Sequence, residues 1–329
     1  MRLAKLMGFL FPPESDTWLT VLRVGLGLQV ALYTLSSRAD WNELFSSSGR
    51  GLINREVTEA VLSVESPLAP RLGWLIATGS RIGISESFVL WTVWTLLLGA
   101  ACFLLVGFCC RPAAIIAWFF HLCAVKSEQF LSYGMDNFTT IGLFYLMLCP
   151  LPDRLSLDAH IRRWRPSEAQ LLGFFRRVLQ VHVCIIYFFG GITKCMGAEW
   201  WNGNSIWWAL TSPPYNVVSP EVLVMWKHFL PLIGISICII ETGYPFFVWL
   251  KQTRLVWFLC VCGMHLAIGC TMGLYLFSLI MIILNLAAFG PGFSFGVADS
   301  PALNSEGKAQ PSGDLSARTP GPPPDTVVL

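Results

Sequence analysis

Eight apolar runs alternate with polar segments along the 329 residues of this chain. They fall at about residues 18–36, 88–110, 113–126, 139–150, 171–195, 230–250, 255–272 and 274–290. A helix needs about 20 apolar residues to cross a membrane, and most of these runs approach that length. The pattern therefore predicts an all-α, polytopic integral membrane protein with about eight transmembrane helices.

The polar segments differ in character. Residues 38–86 carry charges of both signs, and their apolar part, 66–79, is too short to span, so we expect it to lie along the membrane interface. The segment from 196 to 228 is a loop rich in tryptophan. From residue 291 onward Pro, Gly, Ser and Asp dominate, which predicts a disordered tail over 291–329.

Composition agrees with lipid as the main solvent. The chain is 54% hydrophobic and only 13% charged, about half the charged share of a soluble domain. Its eleven cysteines form no C-x-x-C pair and no zinc-like cluster with histidine, so no metal site is predicted. Most of them are expected to be small buried hydrophobes; Cys195 is the one worth testing for reactivity.

The short basic loops all fall on one side of an eight-span arrangement. Arg111, the arginine-rich 151–177 segment and Lys251 share that side with both ends of the chain. The positive-inside rule then makes it cytoplasmic, so 1–14 and 291–329 are cytoplasmic ends around a membrane domain at 15–290. Arginines beside spans indicate topology or lipid headgroup contact, and a nucleic-acid partner is excluded.

One lysine stands out at the outer end of the fifth span. On a helix, Tyr187, Gly190, Gly191 and Lys194 share one face, and the two glycines leave a groove for the amine. An ionisable group in a span normally faces protein or a water-filled cavity. The alternative is that Lys194 extends to the interface among the tryptophans that follow it.

Other polar residues lie inside or beside the spans. Arg23 and Glu241 are predicted to form a structural ion pair, because either charge alone in the membrane is costly. His265 either bonds a neighbouring helix or has a functional role. Asp136 and Asn137 precede the fourth span and either contact Lys194 or cap their own helix.

In order and spacing these residues resemble the horizontally transferred transmembrane (HTTM) domain, the membrane part of the vitamin K-dependent gamma-carboxylase. The similarity covers roughly residues 15–290. The motifs that carry it are Tyr187-Phe-x-x-Gly191-x-x-Lys194 with Trp200 and Gly203, Gly134-x-Asp136-Asn137, Pro150-Leu-Pro-Asp-Arg-Leu-Ser-Leu-Asp158, Glu241 before Pro245, His265 ahead of Gly273 and Phe277, and Arg23-x-Gly25-x-Gly27.

The resemblance implies a role for several of these residues. Lys194 would be the base that deprotonates a reduced, vitamin K-like quinone, and Asn137 a polar partner in that catalysis. A desolvated lysine can supply the neutral amine that this chemistry needs. The substrate, a hydroquinone or a secreted peptide, would lie in an outer-leaflet pocket among Tyr187, Gly191, Trp200, Asp136 and His265.

Two departures separate the chain from the carboxylase. The carboxylase has a histidine where this chain has Phe138, and it carries a large lumenal domain that is not expected here. The resemblance therefore does not extend to gamma-carboxylation of proteins, and whether the chain is an enzyme stays open. The alternatives are a non-catalytic membrane protein that binds lipid or a partner, and, third, a transporter.

Overall fold

The computed structural model describes residues 2–47, 55–128, 131–161 and 167–290. The predicted disordered tail, 291–329, lies outside these residues. The described residues form helices joined by turns and loops, and no strand occurs among them. The first nine helices are α1 (Arg2–Leu10), α2 (Thr17–Ser36), α3 (Trp41–Phe45), α4 (Arg55–Glu65), α5 (Leu72–Arg81), α6 (Glu86–Val106), α7 (Cys110–Ser127), α8 (Gly134–Leu148) and α9 (Leu157–Ile161).

The second half of the chain continues with both long and short helices. They are α10 (Ala169–Met196), α11 (Ala198–Trp201), α12 (Asn204–Thr211), α13 (Pro220–Trp226), a 3-10 turn at Lys227–Phe229, α14 (Leu230–Phe247), α15 (Arg254–Met272) and α16 (Tyr275–Phe289). A helix therefore lies at each of the eight predicted apolar runs. The tryptophan-rich segment, predicted as a loop, instead forms the short helices α11, α12 and α13.

Five helical segments are long and apolar enough to cross a membrane. They are Thr17–Ser36, Glu86–Val106, Ala169–Met196, Pro220–Phe247 and Arg254–Met272. Tyr275–Phe289 is a shorter apolar helix. This confirms an integral, multi-pass membrane protein that contacts lipid through its apolar helices.

Helix α2 lies at the centre of the bundle. Leu19, Leu22, Leu26 and Val30 recur at helical spacing and are completely buried. The helix packs on α6, α8 and α16. A second, smaller core joins α3 and α5 to α6 and α7. The apolar face of α5 is thus covered by protein rather than lying only at an interface.

A buried ion pair holds the N-terminal half of α2, on the side predicted to be cytoplasmic. The Arg23 guanidinium donates to Asp153 at 2.5 Å, and both side chains are at most 1% exposed. The same guanidinium donates to the carbonyl of Leu104, and the Thr20 hydroxyl donates to Asp153. The predicted pair of Arg23 and Glu241 is therefore wrong. The helix of Glu241, α14, packs mainly on α10 and also on α11, α12 and α15, whereas the helix of Arg23 packs on α6, α8 and α16.

Candidate functional site

The site forms where α10 and α14 approach most closely. They run antiparallel, since the Tyr187 and Tyr244 rings meet at 4.5 Å and Gly191 lies one turn further along against Thr242. A Cβ on Gly191 would lie 2.6 Å from the Thr242 nitrogen, so only glycine permits this approach. Gly191 thus brings the helix backbones together, whereas a Cβ on Gly190 would lie 3.2 Å from the Glu241 carboxylate and 3.7 Å from the Lys194 amine. Gly190 leaves the predicted room for the amine.

Lys194 and Glu241 form an ion pair across this contact. The amine lies 2.6 Å from the Glu241 carboxylate, and the side chains are 26% and 10% exposed. Glu241 is eleven residues from the start of α14, about 16 Å along the helix axis. The amine therefore turns inward to a partner within the span, and does not extend to the interface.

The chain turns sharply after Lys194 and covers the pair. The Lys194 amine lies 5.4 Å from the centroid of the Trp200 ring, within cation–π range. The Trp201 indole donates to the carbonyl of Cys195 at 2.8 Å, which holds α11 against the end of α10. Predicted pocket residue Trp200 is thus brought to Lys194.

A buried hydrogen-bond network lies one to two turns deeper. The Asn285 amide donates to the Tyr187 hydroxyl at 2.7 Å and accepts from the Tyr244 hydroxyl at 2.6 Å. The Tyr187 hydroxyl also shares a hydrogen bond of 2.8 Å with His265 Nε2. The other ring nitrogen of His265, Nδ1, is buried and has no partner among the described residues.

The structure brings together most, but not all, of the predicted site residues. Tyr187, Gly191, Trp200 and His265 surround Lys194 directly or through one contact. Asn137, the predicted catalytic partner, is exposed, and its amide donates to the Tyr133 carbonyl of its own helix. Asp136 accepts from the Tyr133 backbone N–H at 2.9 Å, so it caps α8, the second of its two predicted alternatives.

Phe277 connects this capped end of α8 to the site. Its ring lies 5.6 Å from the His265 ring and 6.2 Å from that of Phe138. Phe138, the departure noted in the sequence, therefore takes part in an apolar ring contact.

An apolar cavity lies on another face of the helices that carry Glu241 and His265. Helices α12, α14 and α15 enclose about 440 Å³, lined by Ile206, Ile237, Ile240, Met264 and others. Ile240 and Met264 are the sequence neighbours of Glu241 and His265, but consecutive residues of a helix do not share a face. The cavity and the polar groups of the site therefore lie on different faces of α14 and α15.

Sequence reasoning missed Asn285, Tyr244 and Thr242. Asn285 is the only amide in the apolar helix α16, and this isolation was a usable signal. Among the described residues, no group of three His, Cys, Asp or Glu side chains could hold a metal ion. No protein-family model, no curated protein and no solved structure matches the chain.

Proposed function

We propose that this chain is an eight-span membrane protein of the HTTM type, with both termini cytoplasmic and a proton-transfer site on its outer side. Helices at all eight apolar runs support the number of spans. The shorter helices α7, α8 and α16 would complete the five long segments. The basic loops on a single side support the orientation.

The proposed activity is deprotonation of a substrate by Lys194. The observation that carries it is the 2.6 Å contact between the Lys194 amine and Glu241. In apolar surroundings, transfer of one proton from ammonium to carboxylate replaces two buried charges with a neutral amine and a neutral acid. The amine can then accept a proton from a substrate hydroxyl, and the new ammonium stabilises the substrate anion.

A hydroquinone fits the surroundings of this pair. Its rings and tail would need apolar walls, and α12, α14 and α15 form an apolar cavity of about 440 Å³. Its hydroxyl is the group from which Lys194 would take a proton. A secreted peptide is the other substrate class that the outer position of the site admits.

Lipid co-purification tests the proposal. The protein is purified in detergent and its lipid extract is analysed for quinones by mass spectrometry. We expect a quinone with wild type and with Lys227→Ala, which removes an exposed lysine, but none with Lys194→Ala. Addition of a naphthohydroquinone to the purified protein should quench tryptophan fluorescence through Trp200. Identical lipid profiles and no quenching would reject the hydroquinone.

The second candidate is a non-catalytic lipid- or partner-binding protein in which the ion pair only joins two helices. The tight packing of α10 on α14 at Gly191 favours this role. The double variant Lys194→Met/Glu241→Leu separates the two. A structural pair can be replaced by apolar side chains without loss of folding or ligand binding. A proton-transfer site loses its ligand while the protein remains folded.

A further inference from the structure

Two cysteines face each other one turn from the ion pair. Cys195 follows Gly191 by one turn on α10, and Cys238 precedes Thr242 by one turn on α14. Because the helices are antiparallel, these two positions lie opposite one another. The Cys195 thiol also lies 3.5 Å from the Thr242 hydroxyl, which places it over the same ridge of α14.

A shared cavity supports this pairing. Both thiols line one cavity of about 340 Å³, together with Trp201 and Phe246. Disulfides require Cα atoms about 4.4–6.8 Å apart. Antiparallel helices reach such distances only where their backbones nearly touch, as these do at Gly191.

We infer that Cys195 and Cys238 are a redox-active dithiol that closes to a disulfide between α10 and α14. Cys195 is partly exposed and Cys238 is buried, which divides their roles. Cys195, the more accessible of the two, makes the first attack, and Cys238 is the resolving thiol. The oxidant is of the disulfide class, so the dithiol is independent of any chemistry at Lys194.

The exchange proceeds in two balanced steps. The Cys195 thiolate attacks one sulfur of a disulfide R–S–S–R, that bond breaks, and one RS⁻ leaves as a mixed disulfide forms. The Cys238 thiolate then attacks the Cys195 sulfur, and the second RS⁻ leaves. The two electrons depart with the reagent, which takes up the two cysteine protons and ends as two thiols.

The closed disulfide would change the neighbouring site. It would tie α10 to α14 covalently within one turn of Lys194 and Glu241. Separation of these helices would then require reduction. The oxidation state of the dithiol thus determines whether α10 and α14 can separate at the end of α10 that Trp201 covers.

Peptide mapping tests the dithiol in the full-length protein. Purified protein is incubated with oxidised glutathione, free thiols are alkylated, and the denatured chain is digested with trypsin. The two cysteines then lie on separate peptides, Cys195–Lys227 and His228–Lys251, each with a single cysteine. We expect these peptides to be disulfide-linked, and the link to be lost on reduction and in Cys195→Ser or Cys238→Ser.

Cys184→Ser is the matched control, since it removes a buried cysteine about three turns from Cys195 on α10 and should leave the link intact. The assignment rests on wild type, so it stands even if a variant fails to fold. Wild type that carries only glutathione on Cys195, that links Cys195 to another cysteine, or that stays fully reduced would overturn the inference.

Discussion

At the scale of single residues, Lys194 and Glu241 each offset the cost of keeping the other inside a span. Glu241→Ala leaves the ammonium without its partner. We expect a loss of about 2 kcal/mol, less than the ~3–5 kcal/mol of a fully buried pair because Lys194 keeps some exposure. Thermal unfolding in detergent measures it, with Glu221→Ala, an exposed carboxylate on α13, as the control. Equal stability of the two variants would show that the pair contributes nothing.

Glu128, just beyond the end of α7, gives a prediction about pH. Burial, with a smaller contribution from nearby Asp136, raises its pKa from 4.5 to about 7, although a hydrogen bond from Tyr33 opposes this. Between these two values the folded state holds a proton that the unfolded state releases. Stability should therefore fall as pH rises through this window.

Glu128→Gln tests this directly. The variant should lose the pH dependence and exceed wild type by about 2–3 kcal/mol at pH 8, with little difference at pH 4. Thermal unfolding at several pH values measures the difference between the two proteins. A wild type and variant with parallel profiles would mean that Glu128 is ionised in the folded state.

At the scale of helices, the contact of α10 with α14 depends on one missing side chain. Gly191→Ala puts a methyl group against the Thr242 backbone, which cannot move aside. We expect a loss of about 1–3 kcal/mol from this overpacking. Gly99→Ala on α6 is the control, because nothing lies within 4 Å of its added carbon. It should be neutral or slightly stabilising, since alanine favours helix.

The ion pair of Arg23 on α2 with Asp153, before α9, should contribute more to stability than the pair of Lys194 with Glu241. Asp153→Asn leaves the Arg23 guanidinium buried and unpaired, because both side chains are almost fully inaccessible. A cost of about 3–5 kcal/mol is expected. Asp40→Asn, an exposed carboxylate beyond the end of α2, should be neutral in the same unfolding assay. Two variants of equal stability would contradict the assigned role of Asp153.

Sequence predicts the long helices well and their partners poorly. The eight apolar runs could be located because the length of an apolar stretch reflects the thickness of the membrane that it crosses. Helices α11 and α12 were not predicted, because short helices are stabilised by the surfaces they pack against, here α14, rather than by their own sequence. Periodicity also grouped Tyr187, Gly191 and Lys194 on one face. Periodicity could not identify the carboxylate that pairs with Lys194, because the pattern within one helix does not show which other helices pack against it.

At the scale of the whole molecule, the proposed eight-span arrangement predicts which turns share a side of the membrane. An epitope inserted after Ser212 should be reached by antibody in intact cells. One inserted at Gln252, between α14 and α15, should be reached only after permeabilisation. The reverse pattern would invert the proposed orientation. Detection of both epitopes without permeabilisation would contradict the proposed single crossing, by α14, between the two positions.

The long sequence separation of the buried ion pairs has a consequence for how the protein is made. Arg23 meets Asp153 only after 130 further residues. At translation rates of about 5–20 residues per second, that interval lasts roughly 7–26 s. For this time the first span holds a charge whose partner has not been synthesised. Arg23 on α2 must therefore be kept out of contact with lipid during membrane insertion until the segment with Asp153 has been synthesised. The same holds for Lys194 until Glu241 has been synthesised.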